Sequence, residues 1–451
     1  GLASADIVNE SMTRASIGID ARIEDSSAID IDAAATMDLA VISASAGAAG
    51  TAGASGVLSL IDSKNAVEAF AGDGSVLRSR GNIGIVASNT FEALGVAGVA
   101  GIGGTAGVGV SAGTFLIDNR SEAWTGDAAD LAAAGLIQVG ATSTQDLTSV
   151  VVGGAGGGTA GVAASAAVNV YKPITQAWIG DNGRVNADIS DANLTGRTLR
   201  VSADSITELL SIVGTVGIGG TAGVGGAADV VVLTKKTAAW VGEGVIARTG
   251  ASLELLASST EKIRSAGVGL SAGGTAGVQG SASVLVLDID TLASAAAGSS
   301  LFSGGNLVIA AESSGDLDLL SGAIGAAGSA AVGAAATVAV VDKTTHAWVD
   351  DGAAVTALGR ADATQVASGR FNVDYSGSTA GEGEVAAPGI TPSNGENDLA
   401  GGSGALDGAR QSASATRAHR GLAVTAVNQD DIKGYAVTGA ASGTAAVTLS
   451  G

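Results

Sequence analysis

Gly104-Thr-Ala-Gly-Val-Gly-Val110 is the stretch on which the reading turns, because its first four residues recur. Gly-Thr-Ala-Gly begins at Gly50, Gly104, Gly158, Gly220 and Gly274; Gly-Ser-Ala-Ala begins at Gly328 and Gly-Thr-Ala-Ala at Gly443. The spacings are 54, 54, 62, 54, 54 and 115 residues. A second landmark lies 20 residues after these glycines: Phe70, Trp124, Trp178, Trp240, Ser294 and Trp348. Each follows Ala, and at Ser294 the aromatic is lost. Counting back one unit from Phe70 lands on Ser16, so the register already runs at the start of the chain. Two landmarks that keep one register define a tandem repeat, and such repeats signal solenoids, propellers or arrays.

The exceptions are local. About eight residues are added near 188–194, which explains the spacing of 62. Removing 360–420 brings Val355-Thr-Ala-Leu-Gly359 onto Gly421-Leu-Ala-Val-Thr-Ala426 and restores the pattern. The chain therefore divides into repeats over 1–359, an acidic Gly-rich insert over 360–420, and a resumed repeat over 421–451. The insert carries Phe371, Tyr375, Pro388, Pro392 and the Gly/Glu-rich run at 381–385. Excursions from a rigid scaffold often carry binding, and the plain alternative is an acidic loop without a partner.

Within a unit the apolar residues alternate, as in Leu199-Arg-Val-Ser-Ala203, which is the period of half-buried strands. Gly180-Asp-Asn-Gly183 and its counterparts at Gly126 and Gly242 read as tight turns. The fold class expected is all-β, a β-solenoid whose units bury their faces against their neighbours. Three turns of roughly 18 residues per unit are the favoured division, for a rise of about 14 Å; two wider turns of 27, rising about 10 Å, remain open. The Gly-rich tract is expected where two sheets or a sharp corner approach closely.

Composition agrees. Aromatics are 3% and charged residues 14%, while 71 of 451 residues are Gly, too few large side chains for a conventional layered core. Collagen is excluded, because Gly does not fall at every third position and there are 3 Pro. Disorder is excluded by the 46% hydrophobic content with regular Val spacing. A net charge of −21 opposes nucleic-acid binding, which needs clustered Lys and Arg. There is no Cys, so neither disulfides nor thiolate metal sites arise. The start at Gly1 without Met or signal peptide reads as a fragment or processed product, and the lack of a visible cap reads as a middle segment. Residues 93–117 are uncharged and contain GxxxG-like spacing, but their Gly content and acidic flanks argue against a membrane span.

The order Gly-Gly-Thr-Ala-Gly-Val-Gly, Val-x-Val, Ala-Trp-Ile-Gly-Asp, Leu-x-Val-x-Ala resembles the repeats of large leukotoxin-like, filamentous-haemagglutinin-like bacterial exoproteins. The resemblance covers most of the chain outside 360–420. It implies a right-handed parallel β-helical shaft, export across the outer membrane, and display on or release from the cell surface. An adhesin or filament is thus expected, non-enzymatic, extracellular, and associating with itself or with neighbouring segments of one long protein.

Candidate sites follow from the landmarks. Phe70, Trp124, Trp178, Trp240 and Trp348 would form either an exposed row for glycans, other cells or a neighbouring filament, or plugs packed over small residues at a corner. Asp73, Asp127, Asp181, Asp350 and Asp351 follow that landmark. Stacked acidic turns could offer oxygens to calcium. The calcium-roll nonapeptide is absent, however, and they read as turn residues and solvated charges. No other cofactor is indicated. His346 and His419 sit in no nucleophile or metal motif, and no Gly-Lys-Ser/Thr follows the glycines. The doublet Lys235-Lys236 reads as a solvated turn.

Overall fold

The computed structural model describes residues 1–367 and 416–451. Each 54-residue unit makes one wide coil of two long strands and one short one. The second coil is typical: Ala52–Ala71, then Val76–Ser79, then Ile83–Gly103. Equivalent strands pair in parallel with the next coil, so Ala52 meets Ala106 and Ile83 meets Ile137. Three sheets result: a front sheet of eight strands, a back sheet of seven and a short sheet of seven. The chain is a parallel β-solenoid.

The division of the unit into three or two turns is corrected by this register. One unit rises by a single interstrand spacing, about 4.8 Å. The physical reason is that the strands are very long, 20 residues in most of the front sheet and 21 or 22 in the back. From Ala106 to Thr125 inward and outward positions alternate without a change of phase, through Gly113 and Asp118-Asn119 alike, so the strand runs on unbent.

The coil tapers, and the sequence sets the taper. Beside the short sheet the interior is filled by Leu77, Leu131, Ile83 and Ile85 together with Ala69 and Ala71. Midway come Ile61, Phe91, Phe115 and Tyr171. Further out lie Ala97, Val99, Ala167 and Ala227. At the thin edge the inward residues are glycine: a Cβ on Gly103 would overlap the carbonyl of Ala106, and one on Gly107 that of Gly156. The repeated tetrapeptide therefore marks the edge where front and back sheets close to backbone contact, as expected. Its Thr residues stack, with the Thr105 amide donating to the Thr51 carbonyl at 2.7 Å and Thr159 to Thr105 at 2.8 Å. Residues 93–117 form this edge, running from the back strand Ile83–Gly103 into the front strand Ala106–Thr125. Among the described residues no helix is long and apolar enough to cross a membrane.

Both departures from the repeat leave at one corner, between the short and back sheets. The addition near 188–194 includes a 3-10 turn, Asp191–Asn193, and Leu194 is buried. In the seventh coil the chain leaves after Gly359, whose amide still bonds the Gly305 carbonyl, and returns at Gly421, whose carbonyl accepts from Leu307. The root of that excursion is an antiparallel pair, Thr364–Ala367 with Thr416–His419. Val366 packs on Val308, Ala310 and Ala423, outward residues of the back sheet that the stem covers. Phe371, Tyr375, Pro388, Pro392 and 381–385 lie outside the described residues.

Candidate functional site

The aromatic landmark ends each long front strand, one residue from inward-facing alanines, and so points outward. Phe70, Trp124, Trp178 and Trp240 occupy successive coils and stack face to face: centroids are 4.4, 5.0 and 4.8 Å apart, with interplanar angles of 10°, 3° and 4°. All are half-buried. The parallel register forces this geometry, because identical positions repeat at the interstrand spacing. Ser294 interrupts the stack, and Trp348 beyond it stacks on His346 at 4.5 Å. Within the row both ring faces of Trp124 and of Trp178 are taken up by neighbouring rings. Arg14 lies over Phe70 at 5.8 Å and bonds Glu68 at 2.6 Å. Glu122, one coil further, has its carboxyl pushed up by burial, with Arg120 opposing and Glu68 reinforcing the shift.

The acidic turns do a structural job. In each of three successive coils a carboxylate accepts the backbone N–H of the next: Asp73 from Asp127 at 3.0 Å, Asp127 from Asp181 at 2.9 Å, Asp181 from Glu243 at 2.8 Å. Asp350 accepts instead from its neighbour Asp351. Three of these oxygens are thus committed to tying coils together. Among the described residues no three His, Asp or Glu side chains are grouped to share a metal. His346 lies on the outer face against Trp348, and His419 Nε2 is 2.7 Å from the Leu422 carbonyl in the stem.

Sequence reading missed the interior polar groups. Lys235-Lys236 is not a solvated turn. Both residues lie inside the front strand Ala222–Val241, whose alternation sends Lys236 out and Lys235 in. Lys235 Nζ meets Glu261 Oε1 at 2.9 Å, Glu261 Oε2 meets Lys343 at 2.9 Å, and Lys343 meets Asp430 at 2.8 Å. Desolvation lowers the Lys235 ammonium, with Glu261 opposing. Desolvation pushes the Glu261 carboxyl up, but Lys235 and Lys343 outweigh it and hold it below the usual range. Asp229, nearer the thin edge, faces no cation. It accepts from Ser211 at 2.7 Å and Ser265 at 2.6 Å, and burial drives its carboxyl upward against those bonds. Its neighbour Tyr171 is pushed well up by burial and by Asp229. The inward parity of Lys235, two residues before buried Thr237, was the available signal.

No protein-family model, curated protein or solved structure matches the chain. What it supplies is a set of ladders, each stabilised by repetition.

Proposed function

We propose that this chain is a non-enzymatic structural body of a large secreted or surface-displayed bacterial adhesin or extracellular filament. The observation that carries the reading is the one-to-one register kept across seven coils, with aromatic, acidic and Gly-Thr-Ala-Gly ladders in phase. Stability in such an array sums over neighbouring coils, so the body extends without needing a new core. The resemblance of its repeats to filamentous exoproteins supports display outside the cell. Seven coils climb about 34 Å, whereas a 20-residue strand is about 66 Å wide. Each coil therefore adds broad, stiff faces to the stack.

Antibodies raised against the chain should label intact cells of the source bacterium, and imaging of the native assembly should show rungs about 4.8 Å apart. Labelling only after lysis, or a compact particle without rungs, would overturn the proposal. A second reading, binding to glycans or other cells, is favoured at one place. Both insertions leave from the same corner, and the longer is held by a packed stem rather than a free tether. Cells whose protein lacks 368–415 should then adhere less; unchanged adhesion removes that reading. The aromatic row supports it less, since sugar binding needs ring faces and these are stacked on each other.

A further inference from the structure

The outer surface of the front sheet beside the thin edge is apolar to a degree that the fold itself does not require. Five outward positions per strand, over the second to seventh coils, carry only Gly, Ala, Val and Leu, with Thr114 the one exception. They run in columns. Val108, Val162, Val224, Val278 and Val332 form one ridge, and Val168, Val230, Val284 and Val338 a second. Between the ridges, over the fourth to seventh coils, runs a valley of Gly and Ala, including Gly226, Gly280, Ala228 and Ala282, which Val110 and Leu58 fill in the third and second coils. Six of the nine ridge residues are well exposed, from 38% at Val108 to 47% at Val338, and Val230, Val284 and Val332 are half-buried. In a chain of net charge −21 this area holds no charge; Asp62, Lys64, Asp118 and Lys172 begin only beyond the second ridge.

The valley glycines differ from those inside. A Cβ on Gly223 would overlap the Ala272 carbonyl, so the fold demands glycine there. A Cβ on Gly226 or Gly280 would meet nothing within 4 Å. Glycine in a strand is unfavourable relative to alanine, and it marks places where another backbone comes close. At these two positions nothing within the chain comes close, so the approach is from outside.

We propose that this face is the contact for a second copy of the chain, packed front sheet to front sheet. Ten residues of strand across six coils cover about 33 Å by 29 Å, roughly 950 Å². A stable interface needs about 800 Å² per partner. An apolar centre with charge confined to its margin is the anatomy of such interfaces. A second copy presents the same ridges at the same coil spacing, so a twofold-related pair seats ridges in valleys over the fourth to seventh coils, with flat apolar contact beyond. A partner without a stacked-coil surface matches none of that periodicity. The proposal rests on the fold and not on the surface-protein reading, so either can fail alone.

Sedimentation equilibrium of the whole chain should show a dimer that dissociates on dilution. Ala228→Glu and Gly226→Glu each place a charge in the contact and should weaken association at least about a hundredfold. Circular dichroism should stay unchanged, because both side chains point outward. Lys236→Glu, on the same face beyond the contact, should leave association intact and shows that added negative charge alone is not the cause. A monomer at every concentration overturns the proposal. So does an oligomer indifferent to Ala228→Glu, which would be joined end to end through the terminal strands or through the back sheet. A monomeric wild type that binds phosphatidylcholine vesicles, with binding abolished by Ala228→Glu, also overturns it and makes lipid the occupant.

Discussion

Lys235 Nζ sits 2.9 Å from Glu261 Oε1, and both side chains are wholly enclosed between the front and back sheets. Glu261 also holds Lys343, which in turn holds Asp430. The four charges are therefore unequal in consequence. Glu261→Gln strands Lys235 without a counter-ion, and breaking a buried pair in this way costs about 3–5 kcal/mol. Lys235→Met leaves Glu261 its second lysine and should cost clearly less. Chemical denaturation of the two variants decides the point, and equal losses would show that the chain of charges does not act as described.

Asp229 has the opposite character. Burial raises its carboxyl above the unfolded value, so the folded state holds the proton longer as pH rises. Stability from this group is full below about pH 4, the ordinary aspartate value, and declines above it. Asp229→Asn should therefore be more stable than wild type at pH 7, with the difference vanishing in acid. Glu261 works the other way: its depressed carboxyl stabilises at pH 7, and that contribution is lost as pH falls below the ordinary glutamate value. A wild-type minus Asp229→Asn difference that does not shrink between pH 7 and pH 3 would rule the assignment out.

The repeat, the turns and the closing edge were legible in the sequence, because each depends on local rules. Gly53, Gly107 and Gly161 must be small, and the aromatic position must recur once per coil. Coil width was not legible from an expected coil size; it needed the period of two to be followed unbroken from Ala106 to Trp124. The charges around Glu261 were hidden for a different reason. Lys235, Glu261, Lys343 and Asp430 are far apart in sequence, and only the pairing of coils brings them together. Parity alone would have turned Lys235 inward, but no local pattern names its partner. The front-face valley was hidden likewise, since Gly226 and Gly223 look alike until their surroundings are known.

Ala128 occupies a left-handed turn position, with φ of 55°. The same turn holds Gly74, Gly244, Gly298 and Gly352 in other coils, each with positive φ. An L-residue there costs about 1 kcal/mol or more. Ala128→Gly should stabilise the protein by about 0.5–1 kcal/mol after the entropy lost by glycine is subtracted. Ala132→Gly, in the adjoining strand Asp130–Ala133, should destabilise by a similar amount. If thermal melts move in the same direction for both, turn strain is not what Ala128 carries.

Ser294 stands in register with Trp240 on one side and Trp348 on the other, one coil from each. Stacked rings at this spacing add about 0.5–1.5 kcal/mol per pair beyond the area they bury. Ser294→Trp restores the Ala-Trp dipeptide of the other coils and offers two new stacks, against the loss of Trp348 from His346 where it now lies at 4.5 Å. The balance favours the variant by about 1 kcal/mol, the worth of one stack. Trp178→Ala removes two stacks at once, at 5.0 and 4.8 Å, and should cost at least twice that. Near-ultraviolet circular dichroism reads the coupling of neighbouring indoles directly: the signal should grow in Ser294→Trp and collapse in Trp178→Ala. A Ser294→Trp protein with an unchanged spectrum and a lower melting temperature would mean that the buried serine is there because the coil has no room for a ring. The row would then be two separate clusters rather than one interrupted ladder.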